Sequence, residues 1–141
     1  MKTDKESQDN AKSVQTCVSV SVTDLRIGNY LLKSLKSGNG RKINDKIGVQ
    51  DIVRIYENTG SFNYEPIQLT EEWLGNFRFE KFLNQFKESS GYKPFILLFL
   101  DGFYEYDDLR FSTKIKYVHQ LQNLYHALTG SELQISSITE H

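Results

Sequence analysis

His119 and His126 stand seven residues apart near the end of the chain, with Gln122 and Asn123 between them. On a helix that spacing places both imidazoles on one face, two turns or about 10.5 Å apart along the axis. A helical pair that shares one metal ion needs the closer spacing of i and i+4. The two histidines are therefore expected to join Gln122 and Asn123 in a polar stripe opposite the apolar face. Such a stripe is either an ordinary solvated surface or a reader of a polar ligand through amide and imidazole groups.

A second cluster is basic. Lys33, Lys36, Arg41, Lys42 and Lys46 surround Ser37-Gly38-Asn39-Gly40. A glycine-containing basic loop can hold phosphate through charged side chains and backbone N–H groups, with Arg41 and Lys42 as the residues expected to do so. The spacing is not that of a P-loop and does not lead into a helix, so charge for solubility at a hairpin tip is the plain alternative. Asp101, Glu105, Asp107 and Asp108 form an acidic counterpart. Asp101 is accounted for by a turn, and the others lack calcium-loop spacing. Cys17 is the only cysteine, which removes an intramolecular disulfide and a cysteine-rich zinc site; no activating base stands near it in sequence. The expectation is no catalytic residue, no metal, no cofactor and no enzyme activity.

Composition agrees with that reading. A formal net charge of -1 over 141 residues gives no bulk attraction to nucleic acid or anionic membrane. The opening residues are polar and lack a signal-peptide core, and the longest apolar run, residues 95–100, is far too short to span a bilayer. A soluble, cytoplasmic protein is expected.

The elements that must carry these residues follow from periodicity. Residues 1–13 read as a flexible lead-in and residues 14–141 as a single domain. Val14, Thr16, Val18, Val20 and Val22 alternate with polar residues, which predicts a strand. Residues 49–56 read as a second β-like run, closed by Glu57-Asn58-Thr59-Gly60. Short strands between Gly/Asn turns suggest a small curved antiparallel sheet or partial barrel. Thr70 is a good N-cap, followed by Glu71 and Glu72 and an apolar face of Trp73, Leu74 and Phe77, so a short middle helix starts there. Apolar residues at 79, 82, 83 and 86 leave open whether 70–87 is one bent helix or a helix followed by a strand. Residues 95–100, Asp101-Gly102 and residues 103–106 are a hairpin with the preferred two-residue turn. The unbroken apolar run predicts cover on both faces of that sheet. Residues 109–111 add a short strand, Ser112 or Thr113 caps a last helix, and Ile115, Val118, Leu121, Tyr125 and Leu128 form its apolar stripe. Gly130 falls where a left-handed C-cap belongs. The fold class is α+β, with the C-terminal helix packed on the hairpin sheet.

Three segments, Leu25-Arg26-Ile27-Gly28-Asn29, Leu69-Thr70-Glu71-Glu72-Trp73-Leu74, and the run from Tyr117 to Leu133 containing Leu128-Thr129-Gly130, occur in this order. Together they resemble a group of short, functionally uncharacterised proteins encoded by bacteria and their phages. The resemblance spans residues 24–135; residues 1–23 and the aromatic middle depart from it. It implies a phage or mobile-element setting in a bacterial cell and carries over no activity, cofactor or site residue.

The leading expectation is a small non-catalytic accessory protein that binds a protein partner or assembles with itself. The alternative is a counter-defence protein that sequesters a nucleotide-type signal through Arg41, Lys42, His119, Gln122, Asn123 and His126. A weaker alternative is nucleic-acid binding by the strand-rich half.

Overall fold

The computed structural model describes residues 20–38, 41–91, 93–108 and 112–135. The fold is α+β, with a three-stranded and a five-stranded antiparallel sheet, both open, and three α-helices among the described residues. The chain gathers into two compact units that divide between Pro66 and Ile67. No described helix is long and apolar enough to cross a membrane.

In the first unit, most of the strand expected over 14–22 lies outside the described residues. Its end is not strand: Val22–Asp24 is a single 3-10 turn capped by the Ser21 hydroxyl. Leu25-Arg26-Ile27-Gly28-Asn29 then forms a turn. Gly28 takes φ 97, a conformation open to glycine. Asn29 is fully buried, and its side-chain oxygen accepts the Arg26 N–H at 2.6 Å. β1 (Tyr30–Leu35) follows, flanked by β2 (Lys42–Lys46) and β3 (Phe62–Glu65).

Residues 49–56 are not a strand. They form α1 (Val49–Glu57), and the sequence also carries the helical period, with Val49, Ile52, Val53 and Tyr56 at i, i+3, i+4 and i+7. End chemistry decides between the two readings. The Asp51 carboxylate reaches back to accept the Gly48 N–H at 2.9 Å, and Asn58 closes the helix in the left-handed conformation at φ 57. These caps outweigh the modest strand preference of the four β-branched residues Val49, Ile52, Val53 and Ile55.

In the second unit, Thr70 caps α2 (Glu71–Asn76) by accepting the Trp73 N–H at 3.3 Å. The helix ends at Asn76, Arg78 just beyond it sits at φ 73, and two strands follow, β4 (Glu80–Phe82) and β5 (Gln85–Glu88). The question left open over 70–87 thus resolves as helix, then hairpin. β6 (Phe95–Leu100) and β7 (Phe103–Asp107) pair as expected, with Asp101 at φ 53 and Gly102 at φ 83 making a type I′ turn.

The short strand expected at 109–111 lies outside the described residues. Ser112 and Thr113 do not cap the last helix; they begin β8 (Ser112–Ile115), which pairs with β7 as far as Ile115. Ladder hydrogen bonds hold these residues extended, so α3 (Val118–Thr129) starts later. Its N-terminus is capped by Gln120, whose side-chain oxygen accepts the N–H groups of Lys116 and Tyr117 at 2.9 and 3.0 Å. Gly130 is the left-handed C-cap at φ 78.

The sheet order is β4-β5-β6-β7-β8. One face carries Phe86, Phe95, Leu97, Tyr104 and Ile115, all buried, and shares the core with Leu74 and Phe77 of α2 and Val118, Leu121 and Tyr125 of α3. Phe95 stacks on Tyr106 at 4.8 Å and meets the edge of Tyr125 at 5.1 Å. Each buried side chain of this size contributes roughly 1.5–3 kcal/mol before entropy. Leu128, expected in the apolar stripe of α3, is instead 43% exposed.

Candidate functional site

The basic cluster is only partly a loop, with Lys36 and Arg41 lying between two strands. Lys33 lies in β1, and Lys42 and Lys46 lie in β2. Lys33 pairs with Asp45 at 3.3 Å and Asp51 at 3.5 Å, and its ammonium stands 4.3 Å from the centre of the Phe62 ring. Lys42 pairs with Glu65 at 3.1 Å. Arg41 is exposed and lines an open, largely apolar hollow of about 420 Å³ with Leu35, Ile43 and Phe62. Thus Arg41 and Lys42 are neighbours in sequence, but Lys42 has its charge matched within the sheet.

Asp51 is the polar centre of this unit. Tyr64 donates to it at 2.6 Å, Gly48 donates its N–H, and Lys33 and Arg54 face it. Burial opposes ionisation of this carboxyl, but the Gly48 and Tyr64 hydrogen bonds and the Lys33 charge outweigh it and hold the carboxyl below its ordinary value. The Tyr64 hydroxyl is pushed up to about 12 by burial and then by the Asp51 carboxylate. These contacts tie α1 to β3 and β1, and each partner is already matched.

The polar stripe of the last helix is divided. His119 and Gln122 are buried at 4% and 2% exposure, on the side of α3 that also buries Val118, Leu121 and Tyr125. His119 stacks against Tyr117 at 5.9 Å with the rings nearly parallel. Asn123 and His126 are half-buried, and His126 stands 3.9 Å from Glu132. The expected single surface opposite the apolar stripe therefore does not form. An α-helix turns 100° per residue, so Gln122 falls about 40° from Val118, on the side of Leu121 and Tyr125, and His119 lies at the margin of that side.

Near the C-terminal end of α3 lies a cavity of about 480 Å³, whose walls include Lys93, Tyr106, Asp108, Thr129 and Ser131. Behind it the buried Glu88 carboxylate accepts from the Tyr125 hydroxyl at 2.8 Å and from the Ser90 hydroxyl and N–H. Burial, reinforced by Glu88 against the Ser90 hydrogen bond, pushes the Tyr125 hydroxyl up. This network satisfies a buried carboxylate and fixes the helix on the sheet.

The acidic residues of the hairpin do not converge. Asp101 occupies the turn, Glu105 pairs across the sheet with Lys114, and Asp107 with Ser112. Among the described residues no group of three or more His, Cys, Asp or Glu side chains could hold a metal ion.

The remaining surface with organised chemistry is the outer face of the five-stranded sheet. Its central strand presents Ile96, Leu98 and Leu100, the first two half-buried and the last 42% exposed. Phe82, Gln85, Leu98, Glu105 and Lys114 form one continuous cross-strand row on this face. Phe82 is 71% exposed and Phe103, opposite Leu100, is 40% exposed under the Lys114 ammonium at 5.0 Å. Beside Phe82, Leu83 turns the chain at φ 56 and is 77% exposed. A branched side chain in the left-handed region costs roughly 1–2 kcal/mol. Leu83 is therefore a strained residue with little burial to compensate for it.

Reading motifs misses this face because it contains none. The signal present is the apolar run of residues 95–100, which predicts cover on both faces of the sheet. Within this unit both helices serve the inner face, and Leu100, Phe103 and Phe82 stay open. Comparison with protein-family models, curated proteins and solved structures returns no match for the chain.

Proposed function

We propose that this chain is a non-catalytic interaction protein that acts by occupying a protein partner, or another copy of itself, with the outer face of its five-stranded sheet. The observation that carries this reading is the exposed apolar stripe of Leu100, Phe103 and Phe82, beside the half-buried Leu98, on the sheet face opposite the buried Phe86, Leu97 and Tyr104. Apolar patches framed by charge mark interaction sites. Strained residues cluster at such sites because selection for binding can maintain them against their cost, and Leu83 stands at the edge of this patch.

A phosphate-bearing ligand held by Arg41 and Lys42 has less support. Phosphate would have to compete with Glu65 for Lys42, and Lys33 is committed to two carboxylates. Binding of a nucleotide that vanished on replacing both Arg41 and Lys42 by Ala would reverse that preference.

The interaction reading is tested by placing a photo-crosslinking benzoylphenylalanine at Phe103 and irradiating the cells that produce the protein. Discrete crosslinked species that disappear in the Leu100→Glu background are expected. No crosslinks, or crosslinks indifferent to Leu100→Glu, would contradict it.

A further inference from the structure

We propose that the outer face of the five-stranded sheet pairs with the same face of a second copy, about a two-fold axis running along β6. The proposal rests on the interaction reading above and specifies its partner. The register supplies the argument. On one side of β6, β5 presents Lys87 and Gln85 to the outer face; on the other, β7 presents Glu105 and Asp107. Gln85 and Glu105 both lie opposite Leu98, so they stand at one level of the sheet. Lys87 lies opposite Ile96, and Asp107 comes one step beyond the Leu97–Tyr106 pair, which puts these two at one level as well.

Rotation by 180° about β6 exchanges β5 with β7 and β4 with β8 while keeping each level. Lys87 then meets Asp107 of the second copy, and Gln85 meets its Glu105. Phe82 comes over Lys114 of the second copy, and Phe103 comes against the Leu83–Asn84 turn. Ile96, Leu98 and Leu100 meet their own equivalents on the axis. Every charge on this face except Glu80 thus meets an opposite charge, an amide or an aromatic ring, and apolar residues meet apolar residues. The two-fold makes each of these pairings occur twice in the dimer.

Two twisted sheets stack face to face about 10 Å apart with strands within about 30° of each other. The axis at β6 keeps the neighbouring β5 and β7 pairs within reach under that rotation. The face measures roughly 24 Å across five strands and 20 Å along β6. That is small for a stable interface, so association in the micromolar range is expected.

Sedimentation velocity of the full chain from about 5 to 200 µM tests the geometry. Wild type is expected to shift toward twice the monomer mass as concentration rises. Lys87→Glu places like charges together twice per dimer and is expected to weaken association at least tenfold. Asp107→Lys added to Lys87→Glu restores the pairing and is expected to return the constant to within about threefold of wild type. Lys87 and Asp107 are both exposed, so neither change disturbs the core. A wild type monomeric at 200 µM, an unaffected Lys87→Glu variant, or a double variant that stays weak would each overturn the proposal. The Phe103 crosslink separates this failure from failure of the interaction reading. A crosslink to a different protein, sensitive to Leu100→Glu, overturns self-pairing alone, whereas absence of any crosslink overturns both.

Discussion

At the scale of single residues, the Tyr64–Asp51 hydrogen bond is the contact with the most definite consequence. Its hydroxyl donates to a carboxylate at 2.6 Å, and a bond to a charged group contributes about 1.5–3 kcal/mol. Tyr64→Phe is expected to lower stability by about that amount at neutral pH, measured by urea unfolding. The pH dependence follows from the two shifts. The Tyr64 pKa is raised to about 12, so its contribution is complete below the ordinary tyrosine value near 10 and is lost as pH rises through 12. The Asp51 pKa is lowered, so its contribution is present above the ordinary carboxylate value near 4 and is lost as pH falls through the lowered one. The stability difference between wild type and Tyr64→Phe is therefore expected to form a plateau between about pH 4 and pH 10 and to shrink on both sides. A difference independent of pH would show that the hydroxyl does not serve Asp51.

At the scale of elements, the sequence was legible wherever turn and cap chemistry agreed with periodicity. The Asp101-Gly102 hairpin, the Thr70 cap and the Gly130 stop all stand where residue type places them. Residues 25–29, 69–74 and 117–133 supply a turn, helix caps and buried helix faces. Residues 49–56 form a helix and not the expected strand because a 3.6 period and an acid at the third helical position outweigh the β-branched residues. The 79–86 stretch was ambiguous because its apolar spacing fits a helix, whereas Arg78 and Leu83 in left-handed conformations break the chain into a hairpin. His119 and Gln122 could not be assigned to a face without knowing how α3 is rotated on the sheet. Leu83 gives this scale its test. Leu83→Gly relieves left-handed strain and is expected to stabilise the monomer by about 0.5–1 kcal/mol, while weakening self-association because the Leu83 turn faces Phe103 in the proposed dimer. Thermal unfolding at low concentration and sedimentation at high concentration should move in opposite directions. If both fall, Leu83 is serving its own fold rather than a partner.

At the scale of the whole molecule, composition excluded strong bulk electrostatic attraction but could not reveal where apolar surface stays open, because that depends on which sheet face the helices choose. Among the described residues the hollow of Leu35 and Ile43 is also apolar and exposed, but two larger sets of exposed apolar side chains compete for the role. One is the sheet face of Phe82, Leu100 and Phe103; the other is the stripe of Val49, Val53 and Tyr56 on α1, exposed by 59, 44 and 74%. The sheet face has the ordered frame of opposite charges and the strained turn, and these favour it. Hydroxyl-radical footprinting of the full chain in extract of the cells that produce it, against the dilute purified protein, puts the choice to experiment. Oxidation of Phe82, Leu100 and Phe103 is predicted to fall several-fold in the extract while Tyr56 stays close to its dilute value. Equal oxidation of the sheet residues in both conditions, or protection confined to Tyr56 and its helix, would contradict the outer sheet face as the working surface of this protein.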